Sequence, residues 1–108
     1  MIGHRLGIGP AGTAIGAIAW GSNPHIRVCY EEPSGNGGII QESCEPMDGW
    51  SRNRPMYITS TLPNTCLSLC YWGVLEIRYY YQRVPSGIQE FGWNPNRGLF
   101  TASKIPTN

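Results

Sequence analysis

One unit of sequence occurs twice in this chain, and that repetition limits the folds open to it more than any other feature. The first copy reads Ala14-Ile15-Gly16-Ala17-Ile18-Ala19-Trp20-Gly21, then His25-Ile26-Arg27-Val28-Cys29-Tyr30, Pro33-Ser34-Gly35 and Ile40-Gln41-Glu42. The second reads Cys66-Leu67-Ser68-Leu69-Cys70-Tyr71-Trp72-Gly73, then Glu76-Ile77-Arg78-Tyr79-Tyr80-Tyr81, Pro85-Ser86-Gly87 and Ile88-Gln89-Glu90. Trp20 matches Trp72, Arg27 matches Arg78, Tyr30 matches Tyr81 and Glu42 matches Glu90. The offset falls from 52 at the tryptophans to 51 at the arginines and 48 at the glutamates, since the first turn carries Asn36-Gly37-Gly38.

Within each copy, β-branched and aromatic runs flank a Pro/Gly turn, the pattern of a β-hairpin. Counting back from the turn sets Arg78 opposite Glu90, and the repeat sets Arg27 against Glu42 in the same way. Trp93 stands three positions after Glu90, an odd number, and so leaves the other face of the strand. A fourth strand is expected near Trp50–Arg54 in the first copy and Leu99–Ser103 in the second.

A four-stranded antiparallel unit of this length is what a β-propeller blade looks like in sequence, so the fold class is all-β. Two blades cannot close a ring, which takes at least four. A cyclic homo-oligomer is therefore expected, with a dimer, trimer or tetramer giving four, six or eight blades. A piece of a longer chain, or another all-β arrangement of two four-stranded sheets, also fits. The reading divides the chain into a linker at 1–13, a first blade at 14–57 and a second at 58–108.

Composition supports sheets and turns. The 108 residues include fourteen glycines and nine prolines, which disfavour long helices. Net charge is +1 with eight scattered Lys and Arg, so no basic stripe marks a nucleic-acid partner. Residues 1–20 contain a mildly apolar run broken by Gly7, Gly9, Pro10, Gly12 and Gly16. That run is too weak to span a bilayer and gives no clear export address. Cys29, Cys44, Cys66 and Cys70 lack the paired knuckles of a four-thiolate metal site and read as buried, reduced residues. No metal or cofactor is expected.

An isolated Arg/Glu pair on a wet sheet face is worth at most about 1 kcal/mol and is ordinarily structural. A guanidinium fork beside a carboxylate also matches adjacent hydroxyls of a sugar. Trp93 and Trp50 are either aromatic core or walls at a blade boundary, where concave sites belong. Trp20 and Trp72 read as packing residues. His4 and His25 have no spaced partners for metal or triad chemistry. Glu31, Glu32 and Asp48 read as solvated turn residues. Glu42 and Glu90 as a glycosidase pair is the weaker alternative, since they belong to separate blades. A protein-interaction propeller with purely structural Arg/Glu pairs is the other alternative.

Across residues 12–108 the chain resembles the fucose-binding β-propeller lectins of the Aleuria type. The likeness rests on Trp20-Gly21, Ile26-Arg27-Val28, Ile40-Gln41-Glu42 and Gly49-Trp50, and on Trp72-Gly73, Ile77-Arg78-Tyr79, Ile88-Gln89-Glu90 and Trp93. It implies a six-bladed ring built by three chains, no enzymatic activity, and fucosylated glycans as partners held between adjacent blades. It further implies one carbohydrate site from Arg27, Glu42 and Trp93, and another from Arg78, Glu90 and Trp50. Two positions depart from the family pattern: Glu45 stands where a stacking aromatic is expected, and Leu99 where a second tryptophan is expected.

Overall fold

The computed structural model describes residues 13–33, 38–51, 54–55, 65–82 and 87–105. They form two antiparallel sheets, one from each copy of the repeat. The first runs β1 (Ile15–Trp20), β2 (His25–Glu31), β3 (Ile39–Glu45) and β4 (Gly49–Trp50), with β5 (Arg54–Pro55) also paired to β3. The second runs β6 (Leu67–Trp72), β7 (Glu76–Gln82), β8 (Ile88–Asn94) and β9 (Gly98–Ile105). The fourth strand of the first sheet is thus split in two, and that of the second is continuous. β2 and β3 flank the first Pro-Ser-Gly turn and β7 and β8 the second; Ser34, Gly35, Pro85 and Ser86 lie outside the described residues, as do residues 1–12 and 56–64.

Register corrects the expected cross-strand pairs. Arg78 lies opposite Gly92, and Glu90 lies opposite Tyr80, so Arg78 and Glu90 share a face as diagonal neighbours. In the first sheet Arg27 lies opposite Ser43 and Glu42 opposite Val28, which puts Arg27 and Glu42 on different faces. The cause is the length of strand between each glutamate and the turn that follows. Glu45 pairs with Gly49 and Asn94 with Gly98, so the two copies are in phase at that turn. Glu42 precedes its glycine by seven positions (49 minus 42) and Glu90 precedes its own by eight (98 minus 90). A difference of one residue reverses the face. Gln41 therefore occupies the place of Glu90, and Glu42 the place of Phe91.

The sheets face each other. Cys29 and Ile39 of the first pack with Ile77, Tyr79 and Tyr81 of the second, and Ile18, Leu67, Leu69, Phe91 and Leu99 close around them. Full burial of each large apolar side chain there contributes about 1.5–3 kcal/mol. The innermost strands meet most closely: a β-carbon on Gly16 would sit 2.4 Å from Leu69 Cδ1 and 3.3 Å from Leu67 Cβ. One polar bridge crosses the core, where the Tyr79 hydroxyl donates to Gln41 Oε1 at 2.7 Å. Burial pushes the Tyr79 hydroxyl well above the usual tyrosine range.

Two further expectations change. Glu31 is not a solvated turn residue; it ends β2, is buried, and accepts the Thr65 N–H at 3.2 Å where the second copy begins. Of the four cysteines, expected to be buried, only Cys29 is; Cys44 is intermediate, and Cys66 and Cys70 are exposed. Burial pushes the Cys29 thiol up to about 12, against the opposing charge of Arg27, and leaves it an unreactive packing group.

Candidate functional site between the sheets

The seam between the sheets opens into a cavity of about 300 Å³. The first sheet supplies Arg27, Ser43 and Glu45 to its wall, and the second supplies Ile77, Tyr79 and Trp93. Strand alternation explains the set. Arg27 and Ser43 are directly opposed, Glu45 is two further along β3, and Ile77, Tyr79 and Trp93 occupy the facing side of the second sheet. One wall is polar and charged, the other aromatic and apolar.

Arg27 is held from several sides. Its Nη2 lies 2.6 Å from Glu45 Oε1, its Nη1 donates to the Ile26 carbonyl at 3.0 Å, and its guanidinium carbon sits 4.9 Å from the Trp20 ring centroid. His25 bonds the other Glu45 oxygen through Nδ1 and stacks on Trp20, with ring centroids 5.1 Å apart and planes 2° from parallel. Burial works to raise the Glu45 pKa, but the hydrogen bonds and charge of His25 and Arg27 outweigh it and hold the carboxyl below its ordinary value.

The second copy repeats the grip with different parts. Arg78 Nη1 donates to the Ile77 carbonyl at 3.1 Å and lies 2.9 Å from Glu76 Oε1. Its guanidinium stands 4.7 Å from the Trp72 centroid and 5.2 Å from that of Phe100. Gly92 makes room for this, because a β-carbon there would fall 2.4 Å from Phe100 Cζ and 3.1 Å from Arg78 Nη1. Register places Asn94 where Glu45 stands in the first copy, and Asn94 Oδ1 instead accepts the N–H groups of Asn96 and Arg97 at 3.0 and 2.8 Å. Glu90 accepts the Tyr80 hydroxyl at 2.6 Å, a bond that, followed by burial, pushes the tyrosine up to about 12.

The six residues singled out from sequence thus separate. Arg27 and Trp93 meet in one cavity. Arg78 and Glu90 share the face of the second sheet turned away from that cavity. Glu42 lies on the opposite face of the first sheet, buried, accepting the Tyr30 hydroxyl at 2.5 Å, and Trp50 shares that face through its pairing with Cys44. Glu42 therefore does not join Arg27. The sequence reading did not include Glu45 and Glu76 as partners of the arginines, or His25 as the second partner of Glu45. Trp20 packs against the core, as expected, and also lies under the Arg27 guanidinium, whereas Trp72 is 49% exposed and lies under that of Arg78. The signal for Glu45 was its even spacing from Ser43, the residue facing Arg27.

No family model matches the chain. The fucose-specific lectin of Aleuria aurantia is 30% identical over 103 residues, spanning 90% of this chain and 31% of that lectin. The crystal structure of the Aleuria aurantia lectin, a six-bladed β-propeller with a fucose recognition mode of its own, superposes with a TM-score of 0.77 at 25% identity. That match also spans 90% of this chain and 31% of the lectin. A variant of the same lectin in complex with α-methyl-L-fucoside matches with a TM-score of 0.82 at 24% identity, over 98% of this chain and 34% of that one. The chain spans about a third of the length of these relatives. By sequence and by fold the chain is similar to about a third of an Aleuria-type six-bladed propeller lectin.

Proposed function

We propose that the chain is a non-enzymatic lectin subunit that binds L-fucose or fucosylated glycans in the seams between blades. The observation that carries this reading is the cavity where Arg27 faces Trp93 across two sheets. A sugar has a polar edge and an apolar C–H face. The guanidinium, already oriented by Trp20 and Glu45, offers its remaining N–H groups to adjacent hydroxyls. The indole of Trp93 gives the C–H face a flat wall, and a cavity of about 300 Å³ lies in the range of small-ligand sites. The likeness to lectins, one of them in complex with a fucoside, supports fucose as the sugar.

The second site of this proposal uses Arg78 and Glu90 with Trp50 of a second copy, so it needs assembly. Repeat symmetry supports a specific contact. Within the chain Gly16 of β1 packs on Leu67 and Leu69 of β6. Register equates Gly16 with Ser68, Leu67 with Ile15 and Leu69 with Ala17. Ser68 of one copy then packs on Ile15 and Ala17 of the next, and all three are exposed in the single chain, Ile15 at 65%. Three chains give six blades, and several sites on one ring gain through avidity.

Calorimetric titration with L-fucose tests the reading. The wild type should release heat with weak to moderate affinity, and Arg27→Ala should lose the signal of one site per chain. Unchanged heats in Arg27→Ala would remove this cavity from the function.

A further inference from the structure

We propose that Glu45, not Glu42, is the carboxylate that accepts sugar hydroxyls in the Arg27 cavity, so that the two sites of each chain place their acid on different residues. The inference rests on the lectin reading and specifies the chemistry of one of its sites. Glu42 is on the far face of β3, buried and engaged by Tyr30, whereas Glu45 is part of the cavity wall. Gln41, at the place of Glu90, also lines the cavity, but it carries no charge and its Oε1 accepts the Tyr79 hydroxyl. Glu45 is thus the carboxylate within reach of both Arg27 and a ligand facing Trp93.

Its capacity is not used up by the clamp. Two carboxylate oxygens have about four lone-pair directions between them, and Arg27 and His25 take one on each oxygen. The side chain is 32% accessible, so the remaining directions can meet a ligand entering from solvent. Arg27 likewise retains N–H groups beyond those given to Ile26 and Glu45. The pair therefore presents donors and acceptors side by side, the arrangement that two neighbouring hydroxyls on a neutral sugar satisfy. His25 acts as a positioning residue, fixing the second Glu45 oxygen while stacked on Trp20. At the Arg78 site Glu76 clamps the arginine and Asn94 closes its own turn, which leaves the acid role there to Glu90.

The test titrates α-methyl-L-fucoside into the full chain carrying Arg78→Ala, which isolates the Arg27 cavity, and into the same background with Glu45→Gln or Glu42→Gln. Hydrogen bonds to a charged group carry enough energy that Glu45→Gln should weaken binding about tenfold or more, while Glu42→Gln stays within about twofold. Thermal melts establish that each variant is folded. Glu45→Asp, which keeps the charge but withdraws the oxygens, provides a second measurement and should also bind more weakly. Equal affinity with and without Glu45→Gln would overturn the assignment, as would loss of binding in a folded Glu42→Gln. If the wild type binds the fucoside but Arg78→Ala does not, the cavity is not a site. If no form binds, the lectin reading falls and takes this inference with it.

Discussion

Each arginine of the repeat is fixed by the same three kinds of contact: its own strand's carbonyl, an indole under the guanidinium, and a carboxylate. The carboxylate comes from a different place in each copy, Glu45 from the end of β3 and Glu76 from the start of β7, and Arg78 gains a second ring in Phe100. A cation–π contact contributes about 0.5–2 kcal/mol depending on desolvation, so holding the fork in place does not rest on a single exposed ion pair. The Glu45 clamp has a consequence for acid stability. Its carboxyl pKa is lowered on folding, so the folded state gains stability above the unfolded value and loses it as pH falls through the folded value. Melting temperature should therefore drop as pH falls through and below the ordinary carboxylate range, and Glu45→Gln should flatten part of that slope. An unchanged slope would show that the clamp contributes nothing to folding.

At the level of strands and sheets, close packing of β1 on β6 depends on the missing side chain at Gly16. Gly16→Leu should force the inner strands apart and destabilise the domain by about 1–3 kcal/mol, read from chemical unfolding. A large hydrophobic side chain accommodated without loss would mean the sheets are not pressed together there. Much of this architecture was legible in the sequence. The duplicated strand pattern gave both sheets, and the odd spacing from Glu90 to Trp93 put them on opposite faces, which register bears out. The cavity partners were only half legible. Aligning the copies on Ile-Gln-Glu equates Glu42 with Glu90, but the ladder is phased from the following turn, and the strand from the glutamate to that turn is one residue shorter in the first copy. Identity of letters could not reveal a slip of one position, and in a strand one position is the difference between core and cavity. Glu31 was misread for a related reason: its neighbour in space is Thr65, 34 positions away.

For the whole molecule, the proposed ring makes a direct claim about mass. Three chains of 12.0 kDa give about 36 kDa, and light scattering in dilute solution should report that value. Ser68→Arg, placed against Ile15 and Ala17 of the next copy, should return the species to about 12 kDa without unfolding it. A single-chain mass for the wild type would end the assembly proposal and leave the Arg27 cavity untouched, since that cavity lies within one chain. The two sides of a sheet are chemically unlike, one bearing Arg78 and Glu90 and the other Ile77, Tyr79 and Trp93. Copies stacked on that plan join head to tail, and every junction leaves the same unlike ends exposed. Only curvature would stop such growth: a small change in the angle between neighbouring sheets would turn the proposed closed circle into an open spiral, and a ring of three chains into a filament.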